Sequence, residues 1–391
     1  MPMKILYLSY LTEAEVFNRI FEAGLEPSVA RQKFETAFMS ALLDSKNIKK
    51  EDITIISCVP YNAKVTQRLE TGQFYDQKIK YVWWTQGIAS FLKTMRTVQN
   101  AVKKWYIETE GEERIILTYA TNPVMLLPIL SRKCKMITFC SEVPRFRVMG
   151  SSLKAKLKKE YYHFMNERMD GYIFFTKYMD EVCNKKGKPS MVVEGMPSIP
   201  EKATHFNSTE KRAEQIFYAG GLNAENGILE LLEAFVKLGR KDVTLTLCGT
   251  GNVVESVQEY AEKYLNIEFK GNVANTKILE LERKATLLIN PRKAEGALTR
   301  YSFPSKTFEY FLSGTPAILT RLDGIPEEYY EYCYECDSSS ADSLKKDLEE
   351  ILEIPQEERM QKAKEAYRFI LAEKTAKMQT EKVIHFLSSI L

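Results

Sequence analysis

Ser302-Phe-Pro-Ser-Lys-Thr-Phe-Glu-Tyr-Phe-Leu-Ser-Gly-Thr-Pro316 is the stretch on which the reading of this chain turns. Pro304 and Ser305 stand where a helix begins, and both suit that place: proline is tolerated in the first turn and serine caps well. The pattern predicts a helix over Lys306–Leu312 and an apolar strand over Thr315–Thr320. Lys306 is misplaced on electrostatic grounds, because a cation at a helix start opposes the macrodipole. A bound anion such as a diphosphate removes the conflict, and the Ser305 hydroxyl then has a second use as a donor to it. Glu309, one turn on, projects from the same helix. A carboxylate there can accept both hydroxyls of a ribose, each charge-assisted bond contributing about 1.5–3 kcal/mol. Just upstream lie Ile289-Asn-Pro-Arg292, then Glu295, then Arg300-Tyr301-Ser302. The cations Arg292, Arg300 and Lys306 and the carboxylates Glu295 and Glu309 in one short span favour a ligand site. The plain alternative is a capped helix with a lysine–glutamate surface pair.

Outward from this segment, short apolar strands alternate with amphipathic helices. Toward the N-terminus the pattern gives strand Gln215–Tyr218, helix Gly227–Leu238, strand Thr244–Cys248, helix Val253–Tyr264, strand Ile267–Lys270, helix Thr276–Lys284 and strand Thr286–Ile289. Toward the C-terminus come helix Ser343–Leu352 and a long helical stretch from Gln356. Two turns in this half carry glycine. Phe217-Tyr-Ala-Gly-Gly-Leu-Asn-Ala-Glu-Asn-Gly227 runs from a strand into a helix, and Gly220 and Gly221 allow close approach of an anion to backbone N–H groups. A tight turn with no ligand fits equally well. Leu247-Cys-Gly-Thr-Gly-Asn-Val-Val254 resembles the start of a dinucleotide fingerprint, but Val254 replaces its third glycine and the turn falls in mid-domain. Glu268 stands at the distance expected of a ribose ligand, yet in a strand where a solvent-facing side chain is the plain alternative. Backbone contact with a nucleotide through Gly249, Thr250 and Gly251 is the more economical reading. The choice of base falls to main-chain groups near Gly271–Val273, which include Asn272.

The first half shows the same rhythm: strand Lys4–Tyr10, helix Glu26–Leu43, strand Asp52–Val59, helix Trp84–Tyr106, strand Arg114–Tyr119, a short helix Pro123–Ser131, strand Lys135–Cys140, helix Lys154–Met169, and strands Gly171–Phe175 and Met191–Glu194. A βαβ rhythm implies a parallel sheet covered on both faces. Gly195–Lys211 breaks it, with Pro197, Pro200, Asn207 and Ser208, and reads as a linker. The expected fold class is therefore α/β, two Rossmann-like domains facing a cleft. The expected bounds are residues 1–195, joined by the C-terminal helix at about 375–391, a linker at 196–211, and a second domain at 212–374.

Composition excludes several classes. The 391 residues carry a net charge of only +3, so a general attraction to nucleic acid is not expected. Seven cysteines at irregular spacing suit buried, reduced thiols. Cys333-Tyr-Glu-Cys336 is a lone CxxC, and three histidines in the whole chain leave it short of zinc ligands. No Asp-x-Asp occurs, so no metal is expected at a diphosphate, and no cofactor is implied. No secretory cleavage pattern follows the N-terminus, and no run reaches the roughly 18 apolar residues of a membrane span, so a cytoplasmic protein is expected. Lys154-Ala-Lys-Leu-Lys-Lys-Glu-Tyr-Tyr-His-Phe-Met165 and the stretch from Phe91 to Tyr106 mix cations with aromatics at helical spacing. Each suits peripheral contact with an anionic membrane on its inner face, or a solvated helix face packed on a sheet.

Together, Phe217-Tyr-Ala-Gly-Gly-Leu222 with Gly227-Ile-Leu-Glu-Leu-Leu-Glu-Ala-Phe235, Cys248-Gly-Thr-Gly251 and Phe308-Glu-Tyr-Phe-Leu-Ser-Gly-Thr-Pro-Ala-Ile318 resemble the donor domain of GT-B glycosyltransferases, in particular glycosyltransferase family 4. The resemblance implies a metal-independent, hexosyl-type transferase taking a nucleotide-diphosphate sugar to a saccharide or lipid-linked saccharide, with retention. Glu309 matches the family's ribose-binding glutamate, and Ser305 and Lys306 match its diphosphate region. Three departures stand out. Gly221 replaces a usual arginine, Asn226 a usual lysine, and Tyr301 a frequent glutamate eight residues before Glu309. Arg292, Arg300 and Lys306 are expected to supply the missing charge, and Glu295 the missing carboxylate. The glycine for arginine and the Tyr-Ser-Phe-Pro-Ser-Lys pattern also resemble a divergent polysaccharide-biosynthesis branch. An inactive descendant that binds a nucleotide sugar or a partner transferase fits the same departures.

By the same resemblance the first domain takes the acceptor. Phe139-Cys-Ser-Glu-Val-Pro144 and Thr118-Tyr-Ala-Thr-Asn-Pro123 end strands, which makes Glu142 and Asn122 candidates for approach to the acceptor hydroxyl. No histidine follows a first-domain strand in the place of an inverting general base, in keeping with retention.

Overall fold

A computed structural model describes residues 3–120, 123–126, 129, 134–143, 152–197, 199, 214–295 and 299–391. The chain divides into two compact units, Met1–Met196 with Ala376–Leu391, and Pro197–Thr375. Most of the segment expected as a linker lies outside the described residues.

The first unit contains β1 (Met3–Ser9), α1 (Ala14–Glu22), α2 (Val29–Leu43), β2 (Ile53–Pro60), β3 (Thr71–Phe74), β4 (Gln77–Trp84), α3 (Ile88–Glu108), β5 (Glu113–Tyr119), α4 (Pro123–Leu126), β6 (Lys135–Cys140), α5 (Leu153–Glu167), β7 (Gly171–Phe174), α6 (Lys177–Cys183) and β8 (Ser190–Val192). The sheet order is β3-β4-β2-β1-β5-β6-β7-β8. Its strands run parallel except for the hairpin that pairs β3 with β4. β1 is buried along nearly its whole length, as a strand covered on both faces requires. Phe34, Phe38 and Leu42 of α2 pack with Ile5, Tyr7 and Phe139 in its core. The chain returns to this unit through a last helix, Ala376–Ile390, which buries Val383, Ile384 and Leu387 in the same core. Ser45 Oγ and Asn47 Nδ2 each donate to the Glu381 carboxylate of that helix, at 2.7 Å.

The sequence overlooks α1, β3, β4 and α6 and misplaces the starts of α2 and α3. A helix was expected from Trp84, but Gln77–Trp84 is a strand, and α3 begins only after Gly87, whose φ of 113° breaks the chain direction. The Trp83 indole donates to the Leu69 carbonyl at 2.6 Å, and the Trp84 carbonyl accepts from Tyr61 N–H at 2.8 Å, bonds that a helix would forfeit.

The second unit contains β9 (Glu214–Gly221), α7 (Ile228–Leu238), β10 (Val243–Thr250), α8 (Val254–Lys263), β11 (Ile267–Phe269), α9 (Asn275–Lys284), β12 (Leu287–Asn290), α10 (Lys306–Ser313), β13 (Ala317–Thr320), β14 (Tyr334–Cys336), α11 (Ala341–Glu353) and α12 (Gln356–Phe369). A π-helical turn, Ile370–Lys374, follows α12 and precedes the last helix, α13 (Ala376–Ile390). The sheet is parallel, in the order β11-β10-β9-β12-β13-β14. Leu231, Leu232 and Phe235 of α7 pack with Ile216, Leu245 and Ile289 on one side. Phe308, Phe311 and Tyr310 of α10 pack with Phe217, Leu288 and Leu319 in a second cluster. From β9 the chain builds outward to β10 and β11, then returns to place β12, β13 and β14 on the other side. The strand order thus reverses between β9 and β12, and ligands of open α/β sheets bind beyond the carboxyl ends of the strands at such a reversal.

Candidate functional site

The carboxyl end of β9 is Ala219-Gly220-Gly221, and that of β12 is Asn290, followed by Pro291 and Arg292. These are the neighbours of the reversal point, so the candidates drawn from separate sequence motifs meet at one edge of the sheet.

Helix α10 is fastened there by its apolar face. Phe308, Phe311 and Leu312 are buried, and the Tyr310 hydroxyl donates to the Ile289 carbonyl of β12 at 3.0 Å. The half-buried positions left over are Lys306, Glu309 and Ser313, on one helical stripe. Lys306 reaches across to β9: its ammonium donates to the Ala219 carbonyl and lies 5.7 Å from the centre of the Tyr218 ring. A Cβ on Gly220 would fall 2.5 Å from Lys306 Cε, so the glycine leaves room for the lysine stem. Ser305 does not cap the helix. Its own φ and ψ are helical and its side chain makes no capping bond, so an exposed hydroxyl remains at the helix start.

Arg292 is half-buried, and among the described residues it makes no ion pair. Burial lowers its pKa, against the opposing influence of Tyr218 and Glu225. An unpaired cation in a partly desolvated place is costly unless something anionic joins it. Arg300 is held differently: its Nε lies 3.7 Å from Asp323 Oδ2 and its guanidinium carbon 5.9 Å from the Tyr301 ring. It already has a carboxylate, so Arg292 and Lys306 are the cations the structure brings to Tyr218. Tyr301 and Ser302 are half-buried, and Glu295 is exposed on the segment after β12.

The glycine turns interlock. Gly249 has φ 141°, and a Cβ on it would lie 1.8 Å from the Gly220 carbonyl oxygen; one on Gly251 would lie 2.1 Å from the Leu222 carbonyl oxygen. Leu222 N–H donates to the Thr250 carbonyl at 2.8 Å. Asn252 N–H donates to Asn223 Oδ1 at 3.0 Å, and Ala224 N–H returns the bond to Asn252 Oδ1 at 3.1 Å. The glycines of the Cys248-Gly-Thr-Gly251 turn therefore let two loops pack together, which accounts for them without a dinucleotide. Glu268 is bound to Lys270 at 2.9 Å and nearly half exposed, as a surface pair. Thr250 and Asn272 are exposed at the carboxyl ends of β10 and β11, with Val273 half-buried beside them.

Sequence reading overlooked the supports of the β9 turn. The Tyr218 hydroxyl donates to the Gly221 carbonyl at 2.9 Å, and Asn226 Nδ2 donates to the same oxygen at 2.8 Å. The only signal in the sequence was a tyrosine and an asparagine flanking a glycine pair.

In the first unit, Glu142 is exposed just beyond β6, and its carbonyl accepts from the Cys140 thiol at 3.2 Å. Asn122 lies outside the described residues. At the end of β1, buried Glu35 accepts from the Tyr7 hydroxyl at 2.9 Å and from Tyr10 N–H at 3.3 Å. Burial pushes its pKa up to about 7, against the opposing effect of Arg31. His163 is exposed, 3.5 Å from Glu167. Cys333 and Cys336 are buried free thiols, and burial pushes both up to about 12. Among the described residues, no group of three or more His, Cys, Asp or Glu is placed to hold a metal ion, and no helix is long and apolar enough to cross a membrane.

Residues 201–369 match the family described as Glycosyl transferases group 1. The match spans most of the second unit, and the chain has the GT-B fold. The fold is similar to that of α,α-trehalose 6-phosphate synthase from Burkholderia multivorans, at TM-score 0.64 and 11% identity over 100% of this chain and 97% of that one. Sucrose-phosphate synthase from Thermosynechococcus elongatus is similar at TM-score 0.63 and 13% identity over 99% of each chain. The HepE protein of Anabaena, solved in complex with UDP, is similar at TM-score 0.64 and 13% identity over 99% of this chain and 100% of that one. No curated protein matches the sequence. At these identities the structures speak for the fold alone, so what the second unit binds rests on its own residues.

Proposed function

We propose that this chain is a retaining, metal-independent hexosyltransferase that moves a sugar from a nucleotide-diphosphate donor to a saccharide or lipid-linked saccharide, in the assembly of cell-surface glycans. The observation that carries the reading is the approach of Lys306 and of Arg292, which makes no ion pair among the described residues, to Tyr218 at the end of β9, at the reversal of strand order. In this reading Arg292 and Lys306 face the diphosphate, with Ser305 as a further donor. Glu309 accepts from the ribose hydroxyls, and the base lies toward Asn272 and Val273. The bond from the anomeric carbon to the diphosphate oxygen breaks, and a bond to the acceptor oxygen forms on the same face of the sugar. The acceptor proton passes to the departing diphosphate. Fixed cations aimed at the leaving group lower this barrier because charge grows there in the transition state. Glu295 stands in for the carboxylate missing at Tyr301, and Glu142 with Asn122 belongs to the acceptor side.

Peripheral attachment to an anionic membrane is part of the proposal. Along α5, Leu153, Leu157 and Phe164 are exposed beside Lys156, His163 and Arg168, an arrangement suited to a charged bilayer surface. Retention on anionic vesicles at low salt, lost at high salt, is the expected result; equal retention on neutral vesicles counts against it.

Thermal-shift screening with UDP-, GDP- and dTDP-sugars tests the donor reading, with UDP-sugars first because the Anabaena relative was solved with UDP. Donor hydrolysis or transfer that is abolished in Glu309→Ala and Lys306→Ala supports the site; unchanged turnover removes it. The competing reading, an inactive binder of nucleotide sugars, is favoured by Gly221 and Asn226, which carry no charge where related chains place cations. Nucleotide binding with no turnover on any acceptor would select it.

A further inference from the structure

We propose that Tyr218 is the positioning residue of a rebuilt diphosphate site, holding Lys306 and the Gly220–Gly221 turn in the geometry that receives the phosphates; this rests on the donor reading above. The end of a parallel strand offers carbonyl oxygens as well as N–H groups, and a carbonyl turned toward a diphosphate repels it. At the end of β9 these oxygens are occupied. Ala219 O accepts from Lys306, and Gly221 O accepts from both the Tyr218 hydroxyl and Asn226 Nδ2. Gly249 is packed against the Gly220 carbonyl so closely that no Cβ fits between them. The strand end thereby has its Ala219 and Gly221 carbonyls engaged, with Lys306 and Arg292 beside Tyr218.

Tyr218 does this from a buried position, 1% exposed, where a phenol must find a partner. Its ring forms the floor beneath Lys306. The 5.7 Å separation from the ammonium is near the outer limit of a cation–π contact, so the ring acts mainly by occupying space under the lysine stem. A Cβ on Gly220 would lie 2.6 Å from Lys306 Nζ and 3.0 Å from the Tyr218 hydroxyl, so the ammonium and the phenol share the space that a side chain at this position would take. Arg292 acts on the same hydroxyl electrostatically. One side chain thus touches or faces every group in the reading that deals with the phosphates, except Ser305. The uncharged residues at 221 and 226 fit this scheme: an arginine and a lysine there would supply charge, whereas Asn226 supplies an amide to the residue 221 carbonyl and Gly221 leaves that amide room, since a Cβ on it would lie 3.1 Å from Asn226 Nδ2.

The test compares nucleoside mono- and diphosphates by titration calorimetry, using the UMP/UDP, GMP/GDP, AMP/ADP and dTMP/dTDP pairs and carrying forward the pair the wild-type chain binds. In Tyr218→Phe the ratio of monophosphate to diphosphate Kd is expected to fall about fivefold, the factor that one neutral hydrogen bond supplies, with monophosphate affinity unchanged. Tyr218→Leu, which also removes the ring, is expected to lower it further. An unchanged ratio overturns the inference. So does an equal loss for mono- and diphosphate, which is the mark of a merely structural residue. If the Tyr218 variants do not fold, Asn226→Ala decides, because it removes the other donor to the same carbonyl from a half-buried position: a fallen ratio supports the scheme and an unchanged one overturns it. If the wild-type chain binds none of the nucleotides, the donor reading itself fails and the inference with it, an outcome distinct from the others.

Discussion

Arg292→Met should make the empty protein no less stable while weakening its hold on a nucleoside diphosphate, and the two effects have different origins. Arg292 is half-buried, and among the described residues it has no ion pair. Burial lowers its pKa, so the folded state disfavours the charge relative to the unfolded chain. For a base with a lowered folded pKa, the penalty is fully present at every pH below that pKa and is relieved only as pH rises through it. Near neutrality the penalty is therefore constant. Solvent screening of a half-exposed guanidinium keeps it small, about 1 kcal/mol at most. A methionine of similar length removes the penalty and keeps the packing of the stem. The apo Tm is then expected to hold or to rise by about 2–4 °C, the shift that 1 kcal/mol produces in a domain of this size. Binding moves the other way. A hydrogen bond to a charged group contributes about 1.5–3 kcal/mol, so the diphosphate Kd should rise about 10- to 150-fold. Differential scanning fluorimetry of the apo protein and calorimetry with the diphosphate read the two separately, and added salt should narrow the difference in Kd between wild type and variant. A fall in apo Tm would mean that Arg292 has a structural counter-ion, and an unchanged Kd would mean that it does not meet the phosphates. Either result refutes the reasoning.

Glu309→Gln should weaken nucleotide binding about tenfold or more and leave inorganic pyrophosphate binding unchanged, since only the nucleotide has a ribose to lose; competition calorimetry separates the two. Glu35, fully buried with its pKa raised to about 7 from 4.5, faces Arg31, Tyr7, Tyr10 and Tyr119. A carboxyl raised in the fold holds its proton more tightly than in the unfolded chain, so stability should fall as pH rises from about 4.5 to about 7 and then level, by roughly 3 kcal/mol in all; in Glu35→Gln, urea unfolding across that range should show this slope flattened. Glu214→Ala should destabilise the second unit by about 3–5 kcal/mol, because Arg359, 2% exposed and bound to Glu214 at 2.5 Å and 3.2 Å, is left as a buried charge. Urea denaturation that shows no loss would contradict this.

What the sequence disclosed, and what it did not, follows from the range of the forces involved. β9, β10, β12 and α10 were legible because apolar runs and helical spacing are local, and parallel strands covered on both faces read as continuous hydrophobic stretches. β3 and β4 were not. Thr71–Phe74 carries little apolar signal, and the aromatic end of β4 runs on toward a true helix, so Trp84 was drawn into it. In the candidate site, the residue types at Lys306, Glu309 and Arg292 pointed to an anion and a ribose before any fold was known. The cap expected of Ser305 was a local inference, and it failed because the residue itself takes helical angles. The pairing of Arg300 with Asp323 and the service of Tyr218 to Gly221 join residues that no periodicity relates. Gly249 and Gly251 read as ligand glycines, and at each the structure adds a carbonyl of the neighbouring turn that leaves no room for a Cβ.

That last point bears on whether the departures at Gly221 and Asn226 mark a lost activity. Decay would remove charges one at a time and leave their former partners unsatisfied, since nothing selects for repair. The turn shows the reverse. The Gly221 carbonyl has two donors, one of them Asn226, and the Ala219 carbonyl has Lys306. Two satisfied carbonyls next to an arginine that has no ion pair among the described residues make an uneven distribution of polar contacts. Folding stability alone would favour the opposite arrangement, with the arginine paired or replaced. Arg292, without an ion pair among the described residues, is the group at the strand reversal that the proposed diphosphate would match.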